Sequence, residues 1–160
     1  MNAPLDVPVH VAPAVRAART MRSVLAPIND KLKIQAEAEG RTFYPLNCGI
    51  GINTGPVAVG NMGSRQRFAY SVLGDAVNLA SRLESQTKTY GVNILMGEAT
   101  ALKCPDFALM EMDCIKVKGK TEPVRIFTAI GDELMAGSAD FMTWQATHDA
   151  FLAASRSGDI

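Results

Sequence analysis

The sequence predicts an α+β fold, an α/β sandwich in which helices pack on an antiparallel sheet. Three observations predict it. Apolar residues step by three and four over residues 13–39 and again from residue 75, as on helices buried along one stripe. Residues 46–59 are rich in β-branched side chains and punctuated by glycine, as in short strands. Two further strand-like segments flank a short basic loop at 118–122, as in a hairpin. The chain has 160 residues and 17.1 kDa, enough for one domain or part of one. With 48% hydrophobic and 20% charged residues it has the material for a core and is not compositionally disordered.

The elements follow in order. Pro4 and Pro8 mark an extended lead-in. The helix over 13–39 carries Val15, Ala18, Met21, Leu25, Ile28 and Leu32 as its buried stripe, with Gly40 ending it. Pro27 lacks a backbone donor and should kink or split that helix. Two short strands are expected within 46–59 around an Asn53-Thr54-Gly55 turn, and another over 68–73. Gly74-Asp75 opens a helix to about residue 88, with Ala76, Leu79, Ala80 and Leu83 facing the core. A short strand over 92–96, a helical turn through Ala101, and hairpin strands over 108–117 and 123–130 complete the domain, read as residues 1–131. Residues 132–160 read as a helical, acidic, solvated extension, with five acids against Arg156 and a helix over about 141–154.

Composition excludes several classes of function. Sixteen Lys and Arg balance sixteen Asp and Glu, and aromatic residues make up only 6%, which removes the basic and base-stacking signatures of a nucleic-acid binder. No apolar run approaches the length of a membrane span. Cys48, Cys104 and Cys114 have no CxxC spacing and are odd in number, which fits a reducing, cytoplasmic setting and no zinc site. His10 and His148 read as ordinary structural residues.

Chemistry concentrates between residues 40 and 85. Gly49, Gly51, Gly55, Gly60, Gly63 and Gly74 fall close together, and no acid lies between Gly40 and Gly74, whereas Arg41, Arg65 and Arg67 do. Glycines admit close approach to backbone N–H groups, and the missing carboxylates leave the local potential positive. That pattern fits a polyphosphate site and equally a tightly turned sheet edge. Asn78 and Arg82 stand one turn apart on the outward side of the second helix, near Asp75 and Ser85. An amide and a guanidinium so placed can bond a ribose oxygen and a phosphate, or form a solvated face. Lys118-Gly119-Lys120-Thr121 contains the end of a phosphate-loop motif, but Cys114 stands where its first glycine belongs and strands flank it.

Taken as one string, GIGINTGPVAVGNMGSRQRFAYSVLGDAVNLASRLES resembles the class III nucleotidyl cyclases, the adenylate and guanylate cyclase catalytic domain. G-I-N-x-G, R-x-x-Y, G-D-x-V-N and A-x-R-L-E occur in the family's order and spacing, and V-K-G-K-T-E-P-V is similar to its late hairpin. The resemblance implies a partial ferredoxin-like cyclase domain that makes cyclic nucleotide from ATP, or less readily GTP, as a homodimer or a heterodimer with another cyclase domain. It places the ribose-orienting Asn on Asn78, the α-phosphate Arg on Arg82 and the purine-reading position on Ser71, whose hydroxyl can donate or accept. Gly74 and Asp75 join the substrate contacts, and Lys118 or, by preference, Lys120 reaches the triphosphate.

The resemblance also implies Mg²⁺ or Mn²⁺ held by two aspartates in a preceding F-x-D-I-x-G-F strand and G-D hairpin. Neither pattern occurs here, and before Glu37 the only acids are Asp6 and Asp30. The expectation is a chain truncated at its N-terminal side with no metal ligands of its own, inactive and marginally folded until a partner supplies the missing strands. A non-enzymatic cyclase-like module for dimerisation or nucleotide sensing is the alternative.

Overall fold

A computed structural model describes residues 7–64, 67–116 and 122–158. The order is α1 (Val11–Ala38), β1 (Ile50–Ile52), β2 (Ala58–Ser64), β3 (Arg67–Leu73), α2 (Asp75–Tyr90), β4 (Ile94–Gly97), α3 (Glu98–Ala101), β5 (Leu109–Ile115), β6 (Val124–Ala129), α4 (Glu133–Ala136) and α5 (Ala139–Ser157). A four-stranded sheet runs β1-β4-β6-β5, and β2 and β3 form a separate hairpin. The mixed architecture is the predicted one, although β1 and β4 pair in parallel, Ile50 opposite Ile94, across the connection made by β2, β3 and α2. The two strands expected within 46–59 do not pair with each other. β1 joins the main sheet, while β2 lies antiparallel to β3, with Gly60 opposite Ser71.

Strand alternation sorts the core onto two faces. Ile94 and Met96 of β4 meet Val11, Val15 and Ala18 of α1, together with Phe107. Leu95 of β4 and Ile126 of β6 meet Leu79 and Leu83 of α2. Gly49 and Gly51 face α2, where an added Cβ would press on Thr87 Oγ1 in the first case and on the Ala80 carbonyl and Glu84 amide in the second. Their lack of side chains lets the helix lie directly on β1. The end of α2 is held by Tyr90, whose hydroxyl donates to Asp113 Oδ2 of β5 at 2.6 Å, and burial pushes that phenol up to about 12.

Three sequence expectations need correction. α1 is one continuous helix through Pro27, so the proline does not split it, and Pro27 is exposed. The α1 stripe is buried only in part: Val15 and Ala18 are covered, whereas Met21 and Ile28 are exposed, because only the first turns of the helix reach β4. Residues 132–158 are not a free extension. α5 begins at a Ser138 cap, buries Phe141 and lies along the outer edge of β5. At the end of α1, Gly40 takes φ +64° while Gly40 N and Arg41 N return to the Glu37 and Ala36 carbonyls, the paired bonds of a glycine-terminated helix. Among the described residues no helix is long and apolar enough to cross a membrane.

Candidate functional site

β3 runs directly into α2 through Gly74, and that junction builds the candidate site. Gly74 takes φ +156°, a conformation disfavoured for side-chain-bearing residues, and its carbonyl accepts from Val77 N at 3.1 Å and Asn78 N at 3.2 Å. The first turn of α2 is thereby fixed, and with it the side that Asn78 and Arg82 occupy. Leu79, Leu83 and Thr87 form the buried stripe, while Asn78 is exposed and Arg82 half-buried. Asp75 is exposed at the helix start, where a carboxylate complements the helix dipole. Ser71 is half-buried on β3, and its hydroxyl donates to the Ala69 carbonyl at 3.2 Å. Lys118 and Lys120 lie outside the described residues.

The glycine cluster divides by role. Gly49 and Gly51 serve helix packing, and a Cβ on Gly55 would press on Ala76. At Gly60 an added Cβ would meet nothing within 4 Å. The cluster is thus in good part a device for seating α2, which the spacing of glycines in the sequence could not separate from an anion site.

Beside this junction lies a groove of about 870 Å³. Its walls are Val11 and Ala14 of α1, the segment from Gly51 to Val57, Val59 and Val72 of the hairpin, and Ala76 and Ala80 of α2. The lining is largely apolar. Asn78, Arg82 and Ser71 do not line it; Asn78 is exposed beside it and the other two are half-buried. Among the described residues no group of three or more His, Cys, Asp or Glu side chains could hold a metal ion.

Sequence reasoning missed two polar arrangements. Glu111 of β5 is buried and bonds Arg125 of β6 and Arg156 of α5, which Arg125 extends to Glu98 at 3.0 Å. These guanidiniums, Arg125 foremost, hold the Glu111 carboxyl below its ordinary range despite its burial. The charged residues Glu111 and Asp113 inside β5 were the only signal. The second arrangement places Arg19 and Arg22 of α1 against a smaller groove at the far end of the sheet, and their i, i+3 spacing was legible but unweighted.

Comparison with known proteins adds relatives. The family described as the adenylate and guanylate cyclase catalytic domain matches residues 11–131. An adenylate cyclase of Anabaena cylindrica is 43% identical over 119 residues, covering 71% of this chain and 23% of that protein. The crystal structure of the adenylyl cyclase CyaB from P. aeruginosa superposes with a TM-score of 0.64 at 32% identity, covering 81% of this chain and 64% of that one. That of the guanylyl cyclase Cya2 gives 0.66 at 33% identity, covering 81% and 62%. The chain thus spans about a quarter of the length of that curated relative.

Proposed function

Because the chain belongs to the adenylate and guanylate cyclase catalytic domain family, we propose that residues 1–131 supply the substrate-orienting half of a cytoplasmic cyclase site, with residues 132–160 as an appended extension. The reaction is attack of the ribose 3′-hydroxyl on the α-phosphorus of ATP, with pyrophosphate leaving and a proton lost from the hydroxyl. The observation that carries the reading is the pairing of Asn78 with Arg82 one turn apart on the outward side of α2, immediately after the strand that holds Ser71.

In this arrangement the Asn78 amide orients the ribose, which sets the 3′-oxygen in line with the α-phosphorus. Arg82 donates to the α-phosphate oxygens and offsets the charge that builds there, a contribution of roughly 10²- to 10³-fold by analogy with a single oxyanion donor. Ser71 reads the purine edge, with ATP favoured over GTP. Gly74 and Asp75 shape the turn against the substrate, and Lys120, or Lys118 beside it, reaches the triphosphate. The exposure of Asn78 leaves that side of α2 accessible to a second cyclase domain that would complete the site, in a homodimer or a heterodimer.

The carboxylates that would hold Mg²⁺ or Mn²⁺ belong, on this reading, to protein outside residues 11–131. The segment from Gly40 to Gly74 contains no acid, and the described residues offer no ligand cluster. The chain by itself is then inactive. Mixed with a cyclase domain that carries metal ligands but lacks its own Asn and Arg pair, it should restore cyclic AMP formation from ATP and do so less well with GTP. Arg82→Ala should lower that output by about 10²- to 10³-fold; equal output from both forms would refute the assignment. A second reading is a non-enzymatic module for dimerisation or nucleotide sensing. ATP binding that needs no metal and yields no product in any mixture would select it.

A further inference from the structure

Near the start of β1, a groove of about 400 Å³ lies between α1, the loop that enters β4 and the end of β6. Its volume falls within the roughly 300–1,000 Å³ of small-molecule sites. Arg19 and Arg22, neighbours at i, i+3 on one helix face, both line it, and Asn93 stands on the opposite wall. Arg22 is fixed by Nη1, which donates to Asn47 Oδ1 at 3.0 Å and to the Cys48 carbonyl at 3.1 Å. Both acceptors are neutral, and Arg22 has no carboxylate partner among the described residues. Its Nε is buried and finds no acceptor there. The Nε is out of a ligand's reach, but the guanidinium charge is left without a counter-charge, which is costly in a partly desolvated setting.

Arg19 is only loosely compensated. Its Nη1 lies 3.6 Å from Asp132 Oδ2, and the same Asp132 side chain caps α4 by accepting from Met135 N at 3.2 Å. The loop offers few donors of its own, since Gly91 N and Val92 N return to the Lys88 and Thr87 carbonyls. Two guanidiniums side by side therefore dominate the potential of the groove, and a tetrahedral oxyanion bonded to both would relieve their repulsion.

We infer that this groove binds a phosphate group, as inorganic phosphate or on a small phosphate monoester, with Arg19 and Arg22 as its donors. The site is separate from the proposed substrate site: Asn78 and Gly91 are 13 residues apart on and just past α2, about 20 Å along a helix axis.

Calorimetric titration of the full chain with inorganic phosphate, and in parallel with ribose 5-phosphate, at constant ionic strength tests the inference. Saturable binding absent with chloride is expected, tighter for the monoester if the remaining volume is used and equal if the phosphate alone is recognised. Arg19→Gln with Arg22→Met should weaken binding by about tenfold or more, the loss of charge-assisted bonds. Asn93→Asp, an exposed change that adds a carboxylate opposite both arginines, should weaken it severalfold without touching either. Arg82→Ala should leave it unchanged. No saturable binding by the unaltered chain, affinity indifferent to Asn93→Asp, or affinity lost in Arg82→Ala would each overturn the inference. Should the double variant not fold, Asn93→Asp decides alone.

Discussion

The two edges of the main sheet are finished in opposite ways. At the β5 edge, α5 turns its side chains onto the strand: Gln145 Nε2 donates to the Leu109 carbonyl at 3.0 Å, His148 Nε2 bonds the Glu111 carbonyl, and Arg156 bonds the Glu111 carboxylate. At the β1 edge, three residues pair with β4 on one side, and among the described residues nothing pairs on the other. Beyond it, α1 leaves Met21, Val24, Ile28 and Ile34 exposed and the 870 Å³ groove is lined by apolar residues. One edge has its carbonyls occupied and its charge balanced. The other keeps the unpaired strand and apolar surface that proteins ordinarily cover. Among the described residues β1 is therefore held by one neighbouring strand and by the helices that pack on it.

If that is right, β1 depends on α2 more than an inner strand would, and breaking their contact should have the largest effect on stability. Gly51→Ala places a methyl against the Ala80 carbonyl and the Glu84 amide, backbone atoms that cannot swing aside. A loss on the order of 4 kcal/mol is expected, at the upper end for single substitutions, and thermal melting followed by circular dichroism would read it. Gly60→Ala, where an added Cβ meets nothing within 4 Å, is the control and should change little. Equal melting of the two variants would mean that β1 is not seated as described.

The same glycines show what could be read in advance. The stripe of Leu79 and Leu83 was visible in the sequence because helix periodicity is local, and so was the outward placement of Asn78 and Arg82. The β5–β6 hairpin was visible because its strands flank a short polar loop. Pairing of β1 with β4 was not, since a parallel partner more than forty residues away leaves no local mark. The role of Gly49 and Gly51 was hidden for a related reason: a glycine under a helix and a glycine beside a phosphate look alike in sequence. The half-covered α1 failed the expectation of a full stripe because periodicity tells which face is apolar, not whether anything lies against it. The docking of α5 rests on side chains meeting strand carbonyls, and no hydrophobic period announces that.

On the closed edge, Glu111 is the centre of charge, and its removal should rank second. Glu111→Gln leaves Arg125 and Arg156 without their shared carboxylate. About 2 kcal/mol is expected, less than for a fully buried pair because both arginines remain partly in water. The effect should depend on pH with a definite sign. Arg125 and Arg156 depress the folded-state pKa of Glu111 below 4.5, so its contribution is complete above that value and is lost as pH falls through the depressed one. The unaltered chain and Glu111→Gln should therefore differ in urea midpoint near neutrality and converge in acid. A gap that stays constant across that range would show that the carboxylate charge contributes nothing.

The smallest change sharpens the comparison most, because it touches the edge and not the charge. In Gln145→Ala the Leu109 carbonyl loses its donor but lies at a sheet edge where water can replace it. A single neutral bond exchanged for a hydrated carbonyl should cost about 1 kcal/mol. His148 and Arg156 still hold the next turns of α5, so the helix should stay docked. Hydrogen exchange would then show faster opening at the start of α5 with the β5–β6 amides still protected. If instead the whole of β5 loses protection, α5 is the clasp that keeps the edge strand in the sheet. The closed side would then depend on its added helix, as β1 depends on α2.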